Sequence, residues 1–267
     1  MDWSKTKTIF IFAFLVLDLF LVWQYSQLVI TNKYKNIQDA SVTDQFKEEA
    51  ITYPPLDDTP DLPPLKAERH LFTDEERSSL KEQEPAFKEQ DPYRLAMKLV
   101  EPVKVDKDDL AKADTFVSAQ LISGSEYVLW SYNRENSTIT YFQRVNDRIV
   151  YQKSGDKQLG SIVLHLNENR EIISYEQTYM DTADEEEQPQ DTATALEALA
   201  RLYNENDLKP KSEVTEMTLG YYTSQGQDIA SQSLQPHWYV EINNKDFYFV
   251  NAYDTQVVRP NQQKKLE

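Results

Sequence analysis

From Ile9 to Trp23 every residue is apolar except Asp18. Such a run cannot lie in water along its whole length. Continued through Tyr25, Leu28, Val29 and Ile30, it approaches the ~20 residues that a membrane-spanning helix needs. Trp3 ahead of the run, and Trp23 and Tyr25 near its end, are placed as interfacial anchors. The following "QYSQLVITNKYK" offers no small-x-small cleavage site, so the segment reads as an uncleaved signal anchor rather than a signal peptide. Lys5 and Lys7 precede it and Lys33 and Lys35 follow, which favours a cytoplasmic N-terminus only slightly. The expected layout is a cytoplasmic tail over 1–7, a single span over 8–30 at the cell membrane, and the bulk of the chain extracytoplasmic.

Asp18 is the oddity. On insertion scales a mid-helix Asp costs about 2.5–3.5 kcal/mol, while each Ile, Leu, Phe or Val returns about 0.3–0.6. A dozen such residues lie between Ile9 and Val22, so insertion survives the carboxylate. On a helix, Phe14, Leu15, Leu21 and Val22 share the face of Asp18. That face pairs with a polar group on a neighbouring transmembrane helix, or Asp18 stands without a partner in a locally thinned bilayer.

Beyond the span, residues 31–40 read as a polar tether. "SVTDQFKEEA" supplies Ser41 and Thr43 as N-cap candidates for a short helix over about 42–50. "ITYPPLDDTPDLPPL" follows, and its prolines remove backbone donors. It reads as a stiff extended connector or, alternatively, a recognition strap. "FTDEERSSLKEQ" carries Thr73 with Glu76 three residues on, a capping box that predicts a helix over about 74–83. "YRLAMKLVEPVKV" predicts a strand interrupted before Pro102. Aromatic and β-branched runs then predict an antiparallel meander: "FVSAQLI", "EYVLWSYN", "STITYFQRV", "RIVYQKS", "LGSIVLHLN" and "EIISYEQTY". The chain has only five glycines, so its tight turns must use Asn and Asp.

The acidic stretch "MDTADEEEQPQD" reads as a solvated linker, with 181–191 a boundary between a first subdomain (41–180) and a second (192–260). Its carboxylates are the hard ligands calcium takes, but the spacing of a calcium-binding loop is missing. In the second subdomain, "TATALEALARLYNEN" sets Ala195, Leu196, Leu199, Leu202 and Tyr203 on one helix face. Three strands follow, "EVTEMTLGYYT", "QPHWYVEIN" and "KDFYFVNAYD", the last two joined at Asn243-Asn244. Trp238, Val240 and Ile242 alternate, as do Phe247 and Phe249, and the helix is expected to bury its apolar face against these aromatics. Residues 261–267 form a tail. The fold class is α+β: antiparallel sheets with packed helices behind one transmembrane helix. Its second half resembles a PepSY-like unit, a helix on a three-stranded sheet.

The search for chemistry is barren. There is no cysteine, which removes disulfides, thiolate catalysis and Cys-type zinc sites. His70, His165 and His237 are far apart and belong to no ligand pair; His165 and His237 read as strand-surface or packing residues. No nucleophile elbow or phosphate-binding glycine loop is present. Asp57, Asp58 and Asp61 sit among prolines, a poor setting for a rigid glycosidase-like pair. The net charge of −17 argues against nucleic acid as a partner. No enzyme, metal site or cofactor is expected.

The opening "MDWSKTKTIFIFAFLVLDLFLV" resembles the YycI (WalI) family of Gram-positive bacteria. Met1, Asp2, Trp3, Lys5, Thr6, Lys7, Thr8, Ile9, Phe10 and Ile11 match its MDW-x-KTKTIFI signature, with the acidic Asp18 in the span beyond. The resemblance implies a single-pass accessory regulator of the membrane histidine kinase that governs cell-wall metabolism (YycG, or WalK). It implies a YycH-like sister protein as partner, contact with the kinase through transmembrane helices, and restraint of the kinase. The competing expectation is a wall-associated hydrolase or ligand-binding protein, which would need a deep cleft with convergent carboxylates.

Overall fold

No proline or glycine occurs between Trp3 and Glu48, so nothing there breaks a helix once begun. In a computed structural model the whole stretch is one helix, α1 (Trp3–Glu48). The structure describes residues 3–56, 61–87, 91–106, 110–152, 159–184, 191–223 and 231–259, with backbone alone for 4–6, 8–10, 24–40 and 184. The expected tether and the short helix after it are therefore parts of α1, not separate elements. The helix ends by reversing into a left-handed residue: Ala50 has φ 55° and the Ile51 N–H donates to the Phe46 carbonyl at 2.8 Å.

The chain divides into two compact units, Met1–Thr52 and Tyr53–Glu267, rather than at 181–191. The second unit runs β1 (Leu65–Arg69), α2 (Asp74–Ser79), β2 (Gln83–Pro85), β3 (Leu95–Lys104), α3 (Ala111–Gln120), β4 (Tyr127–Asn133), β5 (Thr138–Val145), β6 (Arg148–Gln152), β7 (Ser161–Leu166), β8 (Glu171–Gln177), β9 (Met180–Asp184), α4 (Ala195–Asn204), β10 (Val214–Thr223), β11 (Ser231–Ile242), β12 (Asp246–Asn251) and β13 (Val257–Val258). Among the described residues, pairing links thirteen strands in an open sheet of order β13-β12-β11-β10-β6-β5-β7-β8-β3-β2, with β4 beside β5 and β1 between β11 and β9. Among the described residues one ladder is parallel, β6 with β10 through Val150–Tyr221, Tyr151–Tyr222 and Gln152–Thr223. The fold is α+β with a mostly antiparallel sheet.

Several expectations change. The "FVSAQLI" run is not a strand: it lies largely in α3, whose buried Ala113, Phe116 and Val117 recur at helical spacing. The meander breaks at β6, because β7 returns to pair with β5 while β6 turns to β10. β3 continues through Pro102, accommodating it in a register shift between Lys98 and Val103. The acidic stretch begins as a strand, β9, paired with β1. α2 starts at the predicted capping box but stops at Ser79. In α4 the buried face is Ala195, Ala198, Leu199 and Leu202, while Leu196 and Tyr203 are half-buried.

The proline-rich run leads directly into β1. Pro63 and Pro64 have no N–H to give, and the segment acts as acceptor instead: Tyr253 Oη donates to the Leu62 carbonyl at 2.7 Å and Tyr221 Oη to the Pro63 carbonyl at 3.1 Å. β1 then buries Leu65 and Ala67 in a core with Val150, Leu159, Met180, Tyr221 and Leu234.

A second core lies under α3, where Phe116 and Val117 meet Leu95, Ile139, Ile162, Ile172 and Tyr175. A third is aromatic: Trp130, Phe142 and Tyr151 pack with Tyr222, Tyr239, Phe247 and Phe249. Trp130 falls at a register shift between Leu129 and Ser131, and a bulge of this kind re-aims a side chain. Phe247 and Phe249 therefore face strands of the first half, not α4. The opposite face carries Trp238, whose Nε1 donates to the Ala193 carbonyl just ahead of α4 at 2.8 Å. With both faces covered, β11 from Pro236 onward and β12 read as near-continuous buried runs, while Ser231, Ser233 and Gln235 at the start of β11 are exposed.

Candidate functional site

The exposed apolar surface of α1 is the first candidate. Ile11, Phe12, Phe14, Leu15, Val16, Leu17, Leu19, Phe20, Leu21, Val22 and Trp23 are all about half-exposed or more, on every side of the helix. Asp18 is exposed among them. Phe14, Leu15, Leu21 and Val22 lie four and three residues on either side of Asp18 in unbroken helix, so the five share one face as predicted by helical spacing. Trp23 is 6.1 Å from Phe20 between ring centroids. Lys7 Nζ sits 4.9 Å from the exposed ring of Trp3, a cation–π contact. The Tyr25 side chain lies outside the described residues. Among the described residues no helix is long and apolar enough to cross a membrane.

The second candidate was not legible beforehand. His70, just beyond β1, joins two other elements: its Nδ1 lies 2.9 Å from Asp181 Oδ2 on β9 and its Nε2 3.1 Å from Glu76 Oε1 on α2. A ring carrying both N–H bonds donates to both carboxylates. Phe72 and Tyr179 meet the ring edge-on at 5.0 and 5.4 Å. Burial pushes the Glu76 carboxyl up, but hydrogen bonds from Thr73 and from His70 bring it below its ordinary range. Glu76 could be found as a capping residue; nothing local ties His70 to Asp181. The cluster fastens β1, α2 and β9 together.

The other histidines are packing and surface residues. His237 is 6% exposed, donates from Nδ1 to the Gln235 carbonyl at 3.0 Å and lies 5.2 Å from Tyr222. Burial pushes its pKa down. His165 Nε2 lies 4.0 Å from Glu176.

Of the aspartates weighed as a catalytic pair, Asp57 and Asp58 lie outside the described residues and Asp61 is exposed. Among the described residues no group of three or more His, Asp or Glu is placed to hold a metal ion. A cleft of about 320 Å³ opens between β6 and β10. In it Tyr151 Oη bonds Thr218 Oγ1 at 2.8 Å and Arg148 donates to the Leu219 carbonyl at 3.0 Å, so these polar groups are engaged with the protein itself.

Comparison with known proteins adds three findings. No curated protein matches the chain. Among solved structures, the Bacillus megaterium YpeB C-terminal domain matches with a TM-score of 0.38 and 14% identity, over 62% of this chain and 72% of that one. A family model described as "YycI protein" matches residues 31–253, a stretch that begins after the apolar run and takes in α4, β10, β11 and β12. With most of its length under that match, the chain belongs to the YycI family.

Proposed function

We propose that the protein is a membrane-anchored regulator that restrains a cell-wall-controlling sensor histidine kinase of the YycG/WalK type. Residues 8–30 span the membrane with the N-terminus cytoplasmic, and residues 53–267 act outside the cell beside a YycH-like sister protein. The unit from α4 to β12 is read as PepSY-like. The Asp18 face packs beside the kinase helices and biases their arrangement. A regulator of this kind shifts the kinase only by its differential affinity for the two kinase states.

The observation that carries this reading is the Ile11–Trp23 stretch of α1, apolar and exposed on every side and interrupted by one carboxylate, in a member of the YycI family. Such a surface is stable only when covered by lipid or by other helices. The direction of control, restraint, is carried over from the family resemblance. The test is to replace residues 8–30 with an unrelated apolar span of equal length. The anchor then remains, and loss of kinase control is expected. Full control by the swapped protein would place the activity in residues 53–267 alone.

A further inference from the structure

Among the described residues, strand β9 pairs through one edge only, with β1. Along an antiparallel strand, the backbone groups of successive residues point to opposite edges. Met180 fixes the phase. Its N–H donates to Gln143 Oε1 at 3.0 Å and its carbonyl accepts from Gln143 Nε2 at 2.9 Å, so the Met180 groups face away from β1. The buried carboxamide of Gln143 thus stands in for one residue of a neighbouring strand. Two residues on, Thr182 turns its N–H and C=O to that same edge, while those of Asp181 and Ala183 turn to β1. No described residue takes up the Thr182 pair.

This edge opens on a cleft of about 420 Å³ lined by Thr182, Ser125, Glu126, Arg144, Asn146 and Asp147. Unpaired backbone groups with room for an extended chain beside them are what strand addition requires. Glu126 accepts from Tyr179 Oη at 2.7 Å, and Arg144 Nε lies 3.9 Å from Asp147. Two carboxylates against one guanidinium leave the wall net negative, on a chain carrying −17 overall. We infer that β9 accepts an extended, Lys- or Arg-bearing segment of a partner protein as an added strand, hydrogen-bonded to Thr182. The site is independent of α1, so its failure and that of the Asp18 reading are distinguishable.

The test uses the full chain in non-ionic detergent, with acetyl-Lys-Val-Lys-Val-Lys-amide and its Glu counterpart as probes. Binding is read by calorimetry and by hydrogen exchange over 180–184. The lysine peptide is expected to bind and to slow exchange of the Thr182 amide, with the glutamate peptide at least about tenfold weaker through like-charge repulsion. Thr182→Pro removes an N–H that serves no ladder, so its Tm should stay within about 3 °C of the parent. It should weaken the lysine peptide at least about tenfold, the loss of one backbone hydrogen bond and a steric block. Four outcomes overturn the inference: no binding of the lysine peptide, equal binding of both peptides, undiminished binding by Thr182→Pro, or unfolding of that variant. Self-association abolished by Thr182→Pro without peptide binding would instead name a second copy of the chain as the occupant, and overturn the basic partner.

Discussion

Tyr239 holds the two halves of the large unit together, and the cost of removing it can be worked from its surroundings. The side chain is fully buried. Its ring stacks on Tyr151 at 5.1 Å and 19°, and meets Trp130 edge-on at 5.4 Å, both from the first half of the sheet. Phe249 and Phe247 of β12 complete the shell at 5.8 and 6.0 Å. Its hydroxyl donates to Glu241 Oε2 at 2.8 Å, and burial with that neighbouring carboxylate holds the phenol neutral by pushing its pKa up. Tyr239→Phe removes one hydrogen bond and should cost about 0.5–1.5 kcal/mol. Tyr239→Ala empties the ring site as well and should cost about 3–5 kcal/mol. At roughly 2–4 °C per kcal/mol for a unit of this size, the Ala variant should melt about 6–20 °C below the parent. The assay is thermal and urea unfolding of the full chain in mild detergent, followed by tryptophan fluorescence. A double-mutant cycle with Trp130→Ala should show a coupling of about 0.5–1.5 kcal/mol. Equal stability of the Ala and Phe variants, together with no coupling to Trp130, would refute the claim that this aromatic seam joins the halves.

Three further outcomes follow from single residues. A Cβ at Gly220 would lie 2.5 Å from the Ile149 carbonyl oxygen, so Gly220→Ala should cost about 1–3 kcal/mol in the same unfolding assay by forcing β6 from β10. Thr194→Ala removes the cap of α4, whose Oγ1 accepts from the Glu197 N–H at 3.2 Å, and should cost about 1 kcal/mol by the same measure. His237 has its folded-state pKa lowered by burial, so the unfolded chain binds its proton first as pH falls. Its contribution is present above the ordinary imidazole pKa of about 6.5 and lost as pH drops from there toward the lowered folded value. His237→Gln should flatten that part of the stability–pH curve.

What the sequence made legible was local. The Thr73–Glu76 capping box starts α2 where expected. Asn146-Asp147 and Asn243-Asn244 both adopt positive φ at hairpin turns, because in a chain poor in glycine these residues tolerate the left-handed region best. β10 and β12 lie close to where their aromatic and β-branched runs placed them, while β11 starts at Ser231, four residues ahead of the expected run from Gln235. What was hidden was either long-range or ambiguous. Phe116-Val117 with Leu121-Ile122 looks like a strand until Ala113 supplies the third position of a helical face. β1 and β9 carry proline-rich and acidic surroundings that mask their pairing. The parallel contact of β6 with β10 joins residues about seventy positions apart, and no local pattern records it. The α1 face is a different matter: helical spacing alone placed Phe14, Leu15, Asp18, Leu21 and Val22 together, and unbroken helix keeps them so. The family was suggested by the first eleven residues and Asp18, yet the family match rests on residues 31–253.

The central claim is that this Asp18 face is a binding surface, and Asp18→Leu tests it most directly. Removing the carboxylate makes insertion about 3–4 kcal/mol more favourable, so any loss of function cannot be blamed on a failed anchor. The full-length variant and its parent would each be co-purified with the kinase from cells, with kinase output measured in parallel. The account predicts an inserted protein that recovers less kinase and no longer restrains it, so that output rises. Unchanged recovery of the kinase together with unchanged output would contradict it.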